Sequence, residues 1–199
     1  MARLLPEQPE ALGLLALIRL HRARAAARFD EAGQLVLLRD QDRGLWDQAA
    51  IAAASALVER ALRLRAPGPY QIQAAIAACH ADAASWDATD WPQILALYEG
   101  LARLSPSPIV ALNRAIALRY VAGPETALAE VETLKDALQG YHLYHATRAE
   151  LLAALGQESA AHAANHRALD LAANPAERAL LTQRLFGGVP SPKCAHAGA

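Results

Sequence analysis

Apolar positions recur with helical spacing along most of the chain, and proline, glycine and polar capping residues mark where one helix stops and the next begins. In the first segment, Leu12, Leu15 and Leu20 fall on one side of a helix. Further on, Pro67-Gly68-Pro69 stops the second helix, and Gly123-Pro124 separates two others. The predicted helices cover about 9–28, 45–64 and 70–84, then one ending near 104, others beginning at 108, 124, 141 and 157, and a last one at 175–186.

Three of these predicted starts carry recognisable caps. Asp90 precedes a helix and is followed three residues later by Gln93, which is a capping-box pattern. Ser107 precedes Pro108, and proline at the first helical position lacks only an N–H that has no helical partner anyway. The last helix begins with a cap, a proline and a box acid, namely Asn174, Pro175 and Glu177.

Between the first two helices lies a turn-rich insert, residues 30–44. Asp30 and Gly33 signal a turn, Leu35–Leu38 is the one strand-like stretch, and a charged cluster follows at 39–43. The predicted organisation is an N-terminal helical pair with this insert at 1–66, repeats and a capping helix at 67–186 continuous with it, and a disordered tail at 187–199.

A repeat of 33 residues is visible in the second half. Helix starts at Pro108 and Tyr141 are 33 residues apart, and so are the stops at Gly123 and Gly156. Helix–turn–helix units of about 34 residues are the period of tetratricopeptide repeats (TPR). The predicted fold is therefore an all-α, TPR-like α-solenoid of antiparallel helix pairs, closed by a C-terminal capping helix that protects the last apolar face.

Composition and charge narrow the function. Apolar residues make up 54%, much of it alanine, whereas aromatic residues are 5%, which favours thin, closely packed helices over sheets. The net charge is −1 and no basic block is present, so we expect no direct DNA binding by this chain. No apolar run is long enough to cross a membrane, the opening residues do not form a signal peptide, and Cys79 and Cys194 suit a reducing compartment; a cytoplasmic location is expected.

No motif indicates an enzyme or a cofactor. The chain has no glycine-rich phosphate loop, no GxSxG, no HExxH and no CxxC. His142 and His145 in one helix and His162 and His166 in the next suggest a zinc site. In a TPR hairpin, however, the two pairs do not converge. We therefore predict no metal, no cofactor and no catalytic residue.

Two polar sets are candidate partner-binding surfaces. The first combines carboxylates, an arginine and an indole in the insert, and is either a docking surface or a structural knot in which Arg43 pairs with a carboxylate and Trp46 is buried. The second lies on the first helices of successive units, which line the concave groove of a TPR array and commonly bind peptides; the alternative is that Asn113 and Tyr141 merely tie loops together. The first set is Asp40, Asp42, Arg43 and Trp46; the second is Tyr70, Gln71, Asn113, Arg114, Tyr141, His142, His145 and Arg148.

Several long, collinear phrases resemble one family. They are PEALGLLALIRLHRAR, LVLLRDQDRGLWD, GPYQIQAAIAACHADA, TDWPQILALYEGL, SPIVALNRAIAL and GYHLYHATRAELLAALG, and the resemblance covers about residues 4–186. The family is the TPR-like C-terminal extension of a group of extracytoplasmic-function (ECF) RNA polymerase sigma factors.

That resemblance implies a regulatory protein-interaction domain that supports or tunes transcription initiation. The promoter-reading sigma domains that precede this region in the family have no counterpart here, so we expect an excised C-terminal half or a stand-alone paralogue. Expected partners are the chain's own upstream sigma domains, RNA polymerase or a regulator. The alternative is a stand-alone TPR-like peptide-binding scaffold unrelated to transcription, and a third hypothesis is a small-molecule sensor or enzyme built on the histidine hairpin.

Overall fold

A computed structural model of the chain describes residues 8–186, and over that range the protein is all-helical. The prediction of a disordered tail at 187–199 lies outside the described residues. The nine α-helices of the described part are α1 Pro9–Ala23, α2 Gln48–Arg63, α3 Pro69–Asp82, α4 Trp91–Leu104, α5 Pro108–Thr133, α6 Lys135–Leu138, α7 His142–Ala154, α8 Glu158–Leu171 and α9 Pro175–Phe186.

The predicted caps are present at the helix starts. The Asp90 carboxylate accepts a hydrogen bond from the Gln93 backbone N–H at 2.9 Å, and the Ser107 hydroxyl accepts one from Val110 at 3.1 Å. At α9, Asn174 Oδ1 accepts from the backbone of Ala176 at 2.8 Å. Each cap satisfies an amide that has no partner within its own helix.

Helix α5 is two helices joined at a sharp bend. Gly123 has φ 88° and ψ 166°, a backbone region that is essentially restricted to glycine, and Pro124 opens the second half. The proline has no N–H to offer the preceding turn. The predicted division of this segment at Gly123-Pro124 is therefore confirmed.

Three expectations for the N-terminal part were wrong. Helix α1 ends at Ala23 instead of near 28, and α2 begins at Gln48 instead of near 45, because the Asp47 side chain caps it through the Ala50 N–H at 2.9 Å. The stretch 35–38 forms no strand: Leu35 makes a single antiparallel bridge to Phe29. A 3₁₀ turn at Leu38–Asp40 follows directly and ends the extended stretch.

Packing follows chain order. Helix α1 packs on α2 and α3, after which α3 packs on α4, α4 on α5, α5 on α7, α7 on α8 and α8 on α9. The buried side chains accordingly form several small clusters between neighbouring helices, and some of these clusters are rich in alanine. Small side chains let the helix axes approach closely, but each contact then buries little apolar area.

Helices α1 and α3 approach each other closely at Gly13. A Cβ placed on Gly13 would lie 2.6 Å from the backbone nitrogen of Gln71, so this position accepts no larger residue without movement. The contact crosses residue 66, where the predicted N-terminal pair meets the repeats. None of the helices in residues 8–186 combines the length and apolar character needed to cross a bilayer.

Candidate interaction groove

Helices α5, α7 and α9 line a groove whose remaining wall comes from the insert. Its volume is about 230 Å³. Leu35 and Leu37 reach it from the insert, so residues far apart in the sequence form one concave surface. The other apolar residues that line it are Ile116, Tyr120, Leu143, Ala146, Leu151, Leu180 and Leu181.

The carboxylate of Glu150 on α7 lies close to three arginines, which come from three different elements. Arg184 of α9 lies 2.8 Å from Glu150 Oε1, and Arg119 of α5 lies 3.4 Å from Oε2. Arg39 of the insert approaches Oε2 at 3.8 Å and also contacts Asp40 at 3.5 Å. The side chains of Glu150, Arg119 and Arg184 are only partly exposed, so solvent screens their interactions less than those of surface ion pairs.

A histidine–carboxylate pair lies elsewhere in the same groove. His142 Nε2, at the start of α7, is 3.1 Å from Glu177 Oε2 in the first turn of α9, although the two groups are not aligned as a hydrogen bond. Glu177 therefore faces a second helix instead of completing the capping box that its position in the sequence suggested. Burial, and to a lesser extent the Glu177 charge, raises the pKa of the neighbouring Tyr141.

A cluster of aromatic rings packs behind the α5 wall of the groove. The ring of Tyr120 stacks on Trp91 at 3.9 Å between centroids, and Trp86 meets both rings edge-on. On the other side of this cluster the His80 ring contacts both tryptophans. Burial, reinforced by the nearby charges of Arg24 and Arg43, lowers the pKa of His80 to about 4, so this imidazole is neutral at physiological pH.

Arg43 of the predicted docking set fastens the insert to α3. Its guanidinium donates hydrogen bonds to the backbone carbonyls of His80 at 2.6 Å and Ala83 at 2.8 Å, and it lies 4.4 Å from the centroid of the Trp46 ring. These carbonyls belong to the C-terminal end of α3, which has no helical partner for them. The expected pairing of Arg43 with a carboxylate is replaced by this cap.

The other members of the docking set are placed differently. Trp46 is buried, with 4% of its surface exposed, as the structural interpretation predicted. Asp42 accepts a hydrogen bond from the Gly44 N–H at 2.8 Å and is otherwise exposed, and Asp40 faces solvent beside Arg39. Asp40 and Asp42 are thus the members of this set whose carboxylates are open to a partner.

The second predicted set is distributed over several places. Tyr70 is partly exposed, while Gln71 is buried and donates to the Ala66 carbonyl at 2.7 Å; the backbone N–H groups of both donate to Glu10. This pair joins the start of α3 to α1, away from the groove. Tyr70 and Gln71 therefore link the start of α3 to Glu10 of α1 and, through Gln71, to the Ala66 carbonyl.

In the later helices, the set divides between two faces. His142 lines the groove, with Tyr141 beside it, whereas His145 and Arg148 line a separate depression. Three of these side chains have partners within the fold. Arg114 pairs with Glu130 at 2.6 Å, Arg148 pairs with Glu132 at 2.6 Å, and His145 contacts the Gln139 carbonyl at 2.9 Å. Asn113 is half-buried on α5.

The histidines of α8 and Cys79 of α3 are the remaining groups with metal-binding or nucleophilic chemistry. The rings of His162 and His166 lie 4.5 Å apart on the exposed side of α8. Within residues 8–186, no group of three or more His, Cys, Asp or Glu side chains is arranged to hold a metal ion. Burial, with smaller contributions from Asp90 and Asp82, raises the pKa of Cys79 to about 11, so its thiol is protonated and a weak nucleophile.

The charged residues that line the groove were not predicted from the sequence. Glu150, Arg119 and Arg184 carry no local motif, and only their spacing on the inner sides of α5, α7 and α9 distinguishes them from ordinary surface charges. Arg39 was included in a charged cluster of the insert but was not assigned a partner in a distant helix. A repeat register that placed α5 and α7 side by side could have identified Arg119 and Glu150.

Comparison with known proteins gives relatives without an assigned activity. Residues 1–62 match a family of unknown function, DUF6596, and this segment contains α1, the insert and most of α2. An uncharacterized protein of Rhizobium meliloti (strain 1021) is 51% identical over 185 residues. The match covers 93% of this chain and 44% of the relative, so the chain spans less than half the length of that protein. No solved structure matches.

Proposed function

We propose that this chain is a TPR-like, non-enzymatic interaction domain of an ECF-type RNA polymerase sigma factor, which tunes transcription initiation through protein contacts in the groove. The observation that carries the proposal is the groove itself, where the insert and the inner sides of α5, α7 and α9 form one surface that is both apolar and charged. Such mixed concave surfaces suit recognition of a protein segment.

Two further observations support the assignment to sigma factors. The phrases that resemble the ECF extension run in order through α1, the insert, α3, α4, α5 and α7. In addition, more than half of the Rhizobium meliloti relative lies outside the matched region, which leaves room for promoter-reading domains. Helix pairs that contact chiefly their neighbours along the chain are also what a TPR-like solenoid requires.

The reading frame around the chain and a transcription assay test the proposal together. We expect sigma-type domains to be encoded in frame with the chain, and we expect run-off transcription by the full-length protein with core RNA polymerase to change several-fold when these residues are removed. If no such domains are encoded and the purified chain binds neither polymerase nor sigma domains, the proposal fails. A stand-alone peptide-binding scaffold, which the same groove would serve, is then the better description.

A further inference from the structure

The arginines around Glu150 carry more N–H donors than the carboxylate of Glu150 alone can accept. Three guanidinium groups meet the single carboxylate of Glu150, and each guanidinium carries about five N–H donors, whereas a carboxylate offers about four lone-pair positions. Only Arg184 makes a short contact, at 2.8 Å; Arg119 and Arg39 are held at 3.4 and 3.8 Å. An incoming carboxylate would find donors already oriented toward an anion.

Exposed apolar surface lies beside these charges. Tyr120 is 37% exposed although its ring is stacked on Trp91, and Leu143, across the groove on α7, is 43% exposed. Leu35 and Leu37 of the insert continue this surface. A partner side chain that covered these groups would gain hydrophobic stabilisation without displacing well-packed core residues.

The dimensions and the charges of the groove restrict what can occupy it. Its volume of about 230 Å³ is below the range of about 300–1,000 Å³ that is usual for small-molecule and cofactor pockets, so one or two inserted side chains fit better than a whole ligand. Glu150 and Glu177 interrupt the positive charge of the groove, so it offers no continuous basic stripe for a phosphate backbone, whereas a single carboxylate needs only the Arg119 and Arg184 guanidinium groups.

We propose that the groove binds a protein segment in which an aspartate or glutamate is adjacent to a bulky apolar residue. The carboxylate bridges Arg119 and Arg184 in competition with Glu150, and the apolar side chain covers Tyr120 and Leu143. Glu150 thus stands in for the partner's acid in the unbound protein. This inference rests on the proposed function, because it names the chemistry of the partner that the same groove recognises.

The competition predicts effects of opposite sign for two variants. Arg184→Gln removes the best-placed donor, so binding of an acidic segment should weaken about tenfold or more. Glu150→Gln removes the internal competitor while preserving the shape of the side chain, so binding should tighten, also by about tenfold. A purely structural role for Glu150 predicts the reverse, since loss of its three arginine contacts would loosen the groove.

Fluorescence anisotropy with the purified full chain tests this directly. The probe is a fluorescein-labelled peptide that repeats Leu-Glu-Asp-Leu, and its matched control repeats Leu-Gln-Asn-Leu. We expect the acidic peptide to bind at least about tenfold more tightly than the amide peptide. Arg103→Gln serves as the control variant, because it removes the same charge from an exposed position of α4 that does not line the groove, and it should leave binding unchanged.

Equal affinity for the two peptides, or weaker binding by Glu150→Gln with an unchanged thermal melt, would overturn the proposal. So would a labelled single-stranded oligonucleotide that binds more tightly than the acidic peptide and shows the same loss in Arg184→Gln. If Glu150→Gln melts earlier than the parent, the Arg184→Gln variant decides. A ratio near one between its affinities for the acidic and the amide peptide supports the proposal, and a ratio equal to that of the parent overturns it.

Peptide binding is measured without polymerase, so its failure is distinguishable from failure of the proposed function. Loss of selectivity for the acidic peptide, with transcription still dependent on the chain, rejects only the partner chemistry. Selective peptide binding by a chain that has no effect on transcription rejects only the sigma-factor role.

Discussion

At the scale of single residues, Arg43 shows how one side chain can hold a non-helical segment in place. Its guanidinium caps the end of α3 through two carbonyls and stacks on Trp46, which itself is buried against α1 and α2. Burial lowers the pKa of this guanidinium, but the group stays protonated because its ordinary pKa is far above neutrality. The insert is thus tied to the helical core by charge-assisted hydrogen bonds.

We expect Arg43→Ala to destabilise the chain by about 3 kcal/mol, because a hydrogen bond to a charged group contributes about 1.5–3 kcal/mol and two carbonyls lose their donor. In a protein of this size the melting temperature should fall by about 6–12 °C. Asp42→Ala is the matched control: it removes one exposed turn contact and should cost about 1 kcal/mol or less. Equal, negligible shifts for both variants, together with impaired transcription, would support a docking role for this segment instead.

His80 gives a pH dependence whose sign follows from its environment. Its pKa in the folded chain is about 4, below the ordinary value of 6.5, so the unfolded chain binds more protons between these two pH values. The stabilisation is complete above pH 6.5 and is lost as the pH falls toward about 4, by on the order of 3 kcal/mol. Urea denaturation across this range should show a shallower pH dependence for His80→Phe than for the parent; parallel curves would contradict the assignment.

At the scale of elements, the helix boundaries with local chemical signals were predictable. Asp90, Ser107, Asn174 and the Gly123-Pro124 pair act within a few residues of themselves, so the sequence alone places them. The conformation of the insert was harder to predict. An extended stretch becomes a strand only when a second stretch pairs with it over several residues, and here Leu35 pairs with Phe29 alone. Short 3₁₀ turns and the four-residue α6 likewise depend on packing more than on periodicity.

The bend in α5 provides a test at this scale. Gly123→Ala should cost about 1–3 kcal/mol, since a φ of 88° with ψ near 166° is strained for any residue with a side chain. Gly140→Ala is the control, because Gly140 has no positive φ and open space around its Cβ position. That variant should be neutral or slightly stabilising. Thermal melts of the two proteins side by side measure the difference, and similar melting temperatures would argue against a glycine-dependent bend.

At the scale of the whole molecule, the groove depends on contacts that sequence patterns do not encode. Arg39, Arg119 and Arg184 come from the insert, α5 and α9, and they meet only because the chain brings those elements around Glu150. His142 was predicted from its place on a first helix and does line the groove, whereas Tyr70 and Gln71, chosen on the same grounds, lie at the α1–α3 junction. Helical periodicity indicates which residues share a helix face, but not which distant helix that face meets.

The charge of the whole chain carries a prediction about DNA. With a net charge of −1, the chain lacks the excess of lysine and arginine that drives counterion release on binding to phosphates. We expect only weak DNA affinity, with a dissociation constant above about 1 μM at physiological salt. An electrophoretic mobility assay with duplex DNA checks this, and tight, sequence-specific binding by the chain alone would contradict it.

Run-off transcription by the full-length protein, with groove variants, tests the central claim most directly, namely that this groove tunes initiation through a protein contact. Arg184→Gln should change transcript yield several-fold while Arg103→Gln, outside the groove, leaves it at the parental level. Both variants should melt at similar temperatures, so that the difference reports on the contact and not on folding. Parental transcript yield from Arg184→Gln, in a protein that has lost acidic-peptide binding, would show that the groove plays no part in transcription.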